Sequence, residues 1–192
     1  MIRRLYDWTM SLAGHPRAMW ALAAVAFVES SVFPIPPDVL MIPMVLAARE
    51  KAWKIAFVAT LASVVGGCLG YAIGYGFMDA IGKPILEFYG KADKFDELAL
   101  RFNTYGGWAV LVAGVTPFPY KVITIFSGAT QLSLPLFLAV SVVARALRFF
   151  VVAGLLWRFG SPIRDFIERW LGPLFTAFVV LLIGGFYALR YL

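Results

Sequence analysis

The chain is 192 residues long and 61% hydrophobic, with a mean hydropathy of +0.83, whereas an ordinary soluble domain is about 45–50% apolar. That composition excludes a soluble globular domain and points to one membrane domain with a handful of spans. The net charge of +6 sits in bases that flank apolar segments, which suits membrane topology and anionic headgroups rather than nucleic acid. A single cysteine, Cys68, excludes an intrachain disulfide and a multi-cysteine zinc site.

Taken in chain order, residues 1–16 place Leu5, Trp8 and Leu12 on one helical face beside Arg3, Arg4 and Asp7, the pattern of a helix lying in the headgroup layer. A cleaved signal peptide fits poorly. Asp7, His15, Pro16 and Arg17 separate the basic start from the apolar run, and Glu29-Ser30-Ser31 is a poor cleavage site. Ala18–Val28 is the first deep segment, but at ~1.5 Å per residue it reaches only about half of a ~30 Å hydrocarbon core. Pro34, Pro36 and Pro37 then break the helix, and apolar sequence resumes to Ala48. Residues 18–48 are expected to form a re-entrant hairpin, the alternative being one long kinked span.

Residues 55–78 are long enough to cross and carry Gly66, Gly70 and Gly74 at the four-residue spacing that lets another helix approach closely. Residues 84–104 are mixed in character and are expected to form an interfacial connector. Residues 107–130 repeat the first pattern, two short apolar arms around Pro117 and Pro119. Residues 134–157 cross back, residues 161–171 start with Ser161-Pro162 as cap and first helical position, and residues 173–190 form a last span.

The two breaks share a cassette: Pro34-Ile-Pro-Pro-Asp-Val-Leu-Met-Ile42 and, 83 residues later, Pro117-Phe-Pro-Tyr-Lys-Val-Ile-Thr-Ile125. Paired interruptions in corresponding positions of two halves point to a transport site at a repeat interface. With one full crossing between them, the hairpins must enter from opposite faces, an inverted repeat. The expected fold is therefore an all-α integral membrane protein with two opposed re-entrant hairpins, about three full transmembrane helices and short interfacial helices. Charge counting favours a cytoplasmic N-terminus: Arg3, Arg4, Arg17, Arg49, Lys51, Lys54, Arg158, Arg164 and Arg169 would lie inside, against Lys83, Lys91, Lys94, Arg101 and Arg190 outside.

Glu29, Asp38, Lys121, Arg145 and Arg148 fall inside apolar segments. A central charge costs roughly 2.5–3.5 kcal/mol on insertion scales, so each should face protein or a watery cavity. Asp38 and Lys121 occupy equivalent cassette positions and are expected to approach each other if the hairpins meet at mid-membrane. Arg145 and Arg148, three apart on one helix face, suit a phosphate clamp, or else they pair with Glu29 and Asp38. Glu29 and Asp38 are candidates for proton coupling. No metal-helix motif, nucleophile elbow or P-loop is present, and no enzyme activity, cofactor or metal is expected.

Glu29-Ser-Ser-Val-Phe-Pro-Ile-Pro-Pro-Asp38, Gly66-Gly-Cys-Leu-Gly-Tyr71 and Thr116-Pro-Phe-Pro-Tyr-Lys-Val-Ile-Thr-Ile-Phe-Ser-Gly128 together resemble the DedA (SNARE-associated, or VTT-domain) membrane proteins, closest to their YqaA-like branch, over about residues 17–160. The resemblance implies opposed re-entrant hairpins and movement of lipids between leaflets, polyprenyl phosphate carriers in bacteria and phospholipids in related eukaryotic scramblases. It also implies proton dependence through an acid pair that maps onto Glu29 and Asp38. Many members carry two arginines around the proline of the second hairpin; here Lys121 stands near the second position, and Gly114 and Val115 stand at the first. The expected setting is the bacterial inner membrane. The expected partner is a lipid with an anionic headgroup, with a homo-oligomer left open. A proton-coupled solute carrier and a non-transporting scaffold are the alternatives.

Overall fold

The computed structural model describes residues 17–32, 36–116 and 118–160. Among these the regular structure is entirely helical: α1 Ala18–Ser31, α2 Asp38–Ala47, α3 Ala52–Phe77, α4 Lys83–Phe88, α5 Ala92–Val115, α6 Tyr120–Ala129 and α7 Leu134–Phe159. A 3₁₀ turn, Arg49–Lys51, leads into α3, and a π-helical turn, Met78–Gly82, joins α3 to α4. Pro84 accounts for the wide turn, because it has no N–H for the carbonyl of Ala80 and its ring crowds that oxygen. The expected helices at residues 1–16 and 161–171, the span at 173–190, and Pro34 and Pro117 lie outside the described residues.

Among the described residues two helical stretches, Arg49–Phe88 and Leu134–Phe159, are long and apolar enough to cross a membrane. The arms around the breaks are shorter. At ~1.5 Å per residue the 14 residues of α1 reach about 21 Å and the 10 of α2 and of α6 about 15 Å. Residues 84–104 are not a separate connector: α5 runs unbroken from Ala92 through Gly106 and Gly107 to Val115. Glycine costs a helix interior roughly 1 kcal/mol but leaves its hydrogen bonds intact.

Glycines set how the helices lie together. A Cβ on Gly66 would strike the Phe27 carbonyl of α1, and one on Gly74 the Ile125 carbonyl of α6. Gly70 stands between them, against Thr124 of α6 and the Ser30 carbonyl of α1. The stripe on α3 thus receives α1 on one flank and α6 on the other, backbone against backbone. These contacts also give directions. Ala18, Ala52 and Val45 share a cluster with Ala153 and Leu156, so α1 and α3 start, and α2 and α7 finish, at one end of the bundle. Gly106 faces Leu132, Gly107 faces Leu136 and Gly114 faces Ala144, so α5 runs alongside α7 from the other end. The α1/α2 pair therefore opens at the end where α3 begins, and the α5/α6 pair at the end where α7 begins.

Between α6 and α7, the Tyr71 hydroxyl donates to the Leu132 carbonyl at 2.6 Å and Asn103 Nδ2 to the Thr130 carbonyl at 2.7 Å. These bonds tie the exit of the second pair to α3 and α5. Among the described residues two buried apolar clusters result, one containing Phe149 and the other Tyr120 with Val110 and Phe137. Polar side chains are concentrated at the seam between them.

Candidate functional site

Arg145, near the middle of α7, is fully buried. Its Nη2 donates to Glu29 Oε2 at 2.8 Å and its Nε to Ser63 Oγ at 2.6 Å. The Ser30 hydroxyl donates to the same Glu29 oxygen at 3.1 Å and shares a hydrogen bond of 2.6 Å with Ser63. Glu29, Ser30, Ser63 and Arg145 thus close a ring contributed by α1, α3 and α7. The guanidinium is also held on its faces: the rings of Tyr120 and Phe149, one from each apolar cluster, lie with centroids 4.7 Å from Cζ. The Tyr120 hydroxyl is satisfied by Ser141 at 2.6 Å. Arg145 Nη1 has no partner among the described residues.

Arg148, three residues on, binds the other acid. Its Nη2 donates to Asp38 Oδ2 at 2.7 Å, and its Nη1 donates to the Thr116 carbonyl at 2.7 Å. That carbonyl is one of those a helix leaves open at its C-terminus, here the end of α5. Asp38 opens α2, where the helix dipole also favours a carboxylate. The expected approach of Asp38 to Lys121 is replaced by this pairing. Positions 38 and 121 both lie in the first turn of a helix after a break, but α2 packs against α7 whereas α6 lies along α3, so Asp38 meets the arginine of α7 instead.

Lys121 is half-buried and makes no ion pair among the described residues. Its Nζ donates to the Val32 carbonyl at 3.2 Å, and Thr124, one turn on, donates to the Ser30 carbonyl at 3.0 Å. The open end of α1 is therefore capped by side chains of α6, with the ammonium at the negative end of the helix. Pro36 and Pro37 lead into α2, and Pro119 immediately precedes α6 with ψ of 99°. Proline can stand there because the first helical turn needs no donor from it.

Sequence reasoning did not single out Ser30, Ser63, Thr124 or Tyr120. A hydroxyl inside an apolar helix most often bonds its own preceding turn, as Thr60 does to the Ala56 carbonyl. The available signal was the cost of burying an arginine, which demands acceptors on facing helices. Among the described residues no three His, Cys, Asp or Glu side chains gather as a metal site would require. A groove of about 490 Å³ opens between α5 and α7, lined by Tyr105, Trp108, Leu111, Leu136 and Val140 among others, and none of the five charges lines it.

Residues 35–158, which hold Asp38, Lys121, Arg145 and Arg148, match the VTT domain. The chain belongs to the VTT domain family. Its relatives include an uncharacterized protein of Haemophilus influenzae, 39% identical over 168 residues, covering 85% of this chain and 87% of the relative. A protein of Histophilus somni matches to the same extent. An uncharacterized membrane protein of Mycobacterium leprae is 25% identical over 187 residues, covering 88% of this chain and 80% of the relative. No solved structure matches significantly. Family and apolar helices together make this VTT domain protein a helical, membrane-associated protein, with the family match pointing away from enzymes.

Proposed function

We propose that this VTT domain protein moves an anionic lipid, a polyprenyl phosphate or a phospholipid, between the leaflets of the bacterial inner membrane as a flippase or scramblase. In this reading α1/α2 and α5/α6 are re-entrant hairpins of an inverted repeat, entering from opposite faces, with α3 and α7 spanning. The observation that carries it is the charge balance where the two breaks meet. Glu29 and Asp38 are each matched by an arginine, while Lys121, among the described residues, is held only by a backbone carbonyl. That leaves one positive charge for an anionic headgroup, beside helices too short to seal the bilayer alone.

Burial divides the roles among the bases. Arg145, with no exposed surface, is committed to Glu29; Lys121 is accessible, and Arg148, with its side chain 12% exposed, is partly so. A phosphate oxygen would first meet Lys121 and then compete with Asp38 for Arg148, releasing the carboxylate to exchange protons or counter-charge as the hairpins reorient. The tail would stay in lipid, where the open apolar groove between α5 and α7 offers the lining a tail requires. Reconstitution in vesicles with a labelled anionic lipid tests the clamp. The reading expects Arg148→Ala to slow flipping strongly, and unchanged flipping in both Arg145→Ala and Arg148→Ala would remove the arginines from it.

The two ion pairs also favour a second reading, a non-transporting scaffold in which the charges only fasten the hairpins. Replacing Asp38 and Arg148 together by Asn and Met separates the two: a scaffold keeps its cellular function, and a transporter loses it.

A further inference from the structure

The described charges divide unevenly between the two ends of the bundle. Arg17, Arg49, Lys51, Lys54 and Arg158 stand at the end where α1 and α3 begin, with Glu50 the one acid there. At the other end Lys83, Lys91, Lys94 and Arg101 mingle with Asp79, Glu87, Asp93, Asp96 and Glu97. Neutralisation differs too. Lys83 is paired with Asp79 at 2.8 Å and Arg101 with Glu97 at 2.6 Å, each one helical turn apart. Arg49, Lys51, Lys54 and Arg158 make no ion pair among the described residues and are all exposed.

Three rings adjoin these bases. Trp53, at the start of α3, stacks on Phe150 with centroids 6.0 Å apart and meets Trp157, near the end of α7, at the same separation. Gly154 makes room for the Trp53 ring, and Gly160, at φ +68°, takes the Arg49 guanidinium against the end of α7. Trp53 and Trp157 remain 48% and 47% exposed. A soluble anion would satisfy the bases but leave the rings uncovered. A molecule with a phosphate head and an apolar body satisfies both, because indole rings favour the level where headgroups meet tails.

We infer that Arg49, Lys51, Lys54 and Arg158, with the Trp53–Phe150–Trp157 ledge, form a docking site for an anionic phospholipid, separate from the buried charges at the helix breaks. The site holds the lipid at the surface and has no part in carrying it across, so it stands whether or not the protein transports lipid. Each base near an anionic surface contributes about fivefold in affinity, so losing two weakens binding roughly thirtyfold.

The test is quenching of tryptophan fluorescence in vesicles by brominated phosphatidylglycerol or brominated phosphatidylcholine, in a protein whose Trp8, Trp20, Trp108 and Trp170 are phenylalanine. Phosphatidylglycerol is expected to quench at a much lower mole fraction than phosphatidylcholine. Arg49→Gln with Arg158→Gln abolishes that preference, while Lys83→Gln with Arg101→Gln keeps it. Equal quenching by the two lipids overturns the inference, as does equal loss of preference in both double variants, which would reduce the effect to net charge. Displacement of the lipid by soluble glycerol phosphate would also overturn it, making the ligand a free phosphate.

Discussion

Removing the Glu29 carboxylate should cost this fold more than removing any other acid of the described residues. In Glu29→Ala, Arg145 keeps Ser63 on Nε and the two rings on its faces, but Nη2 joins Nη1 as a donor without a partner at a site with no exposed surface. Breaking a buried pair by deleting one member costs about 3–5 kcal/mol, because the remaining charge stays desolvated. Asp38→Ala is milder: Arg148 retains the Thr116 carbonyl and, with 12% of its side chain exposed, reaches water. Its loss is one charge-assisted hydrogen bond, about 1.5–3 kcal/mol. Replacing both members of the buried pair, Glu29→Leu with Arg145→Met, should recover most of the deficit. Thermal unfolding in detergent micelles, followed by circular dichroism at one pH, reads the order. Equal destabilisation by Glu29→Ala and Asp38→Ala, or a double variant no better than Glu29→Ala, would mean that the Glu29–Arg145 pair does not carry this buried charge balance.

Further outcomes rest on the packing, a helix end and the charge distribution. Gly74→Ala drives a methyl group into the Ile125 carbonyl of α6 and should cost about 1–3 kcal/mol. Gly76→Ala on the same helix meets open space and should stabilise by roughly 0.5–1 kcal/mol, so midpoints that move together would discredit the helix contacts. Thr124→Val keeps the shape but leaves the Ser30 carbonyl without its hydroxyl donor, an expected loss of about 1 kcal/mol in the same unfolding assay. Cysteines replacing Leu5 and Leu98 report topology in intact cells: with the cytoplasmic N-terminus that charge counting favours, impermeant maleimide is expected to label position 98 and not position 5.

The breaks and the buried charges were legible because each violates a strong rule. Proline cannot continue a helix, and an ion does not sit in apolar sequence without a reason. Partners were harder to read. The cassettes made Asp38 and Lys121 look like mates, but equivalent positions in two halves need not face each other, and α7 brings Arg148 to Asp38 instead. Ser30 and Ser63 were hidden because their task exists only once three helices meet around Arg145. The boundary expected near residue 104 has no counterpart in the backbone, because a helix can change composition without breaking, as α5 does between Asp93 and Val115.

The proposed role of Lys121 is to offer its charge to an anionic lipid where the two breaks meet. Flipping of labelled phosphatidylglycerol in proteoliposomes, read as the fraction bleached by dithionite over time, tests it most directly. The wild-type protein is expected to expose the inner-leaflet label well above the protein-free rate, and Lys121→Gln, folded and reconstituted to the same density, to lose most of that excess. A wild-type rate equal to that of empty vesicles, or a Lys121→Gln rate equal to wild type, would contradict it.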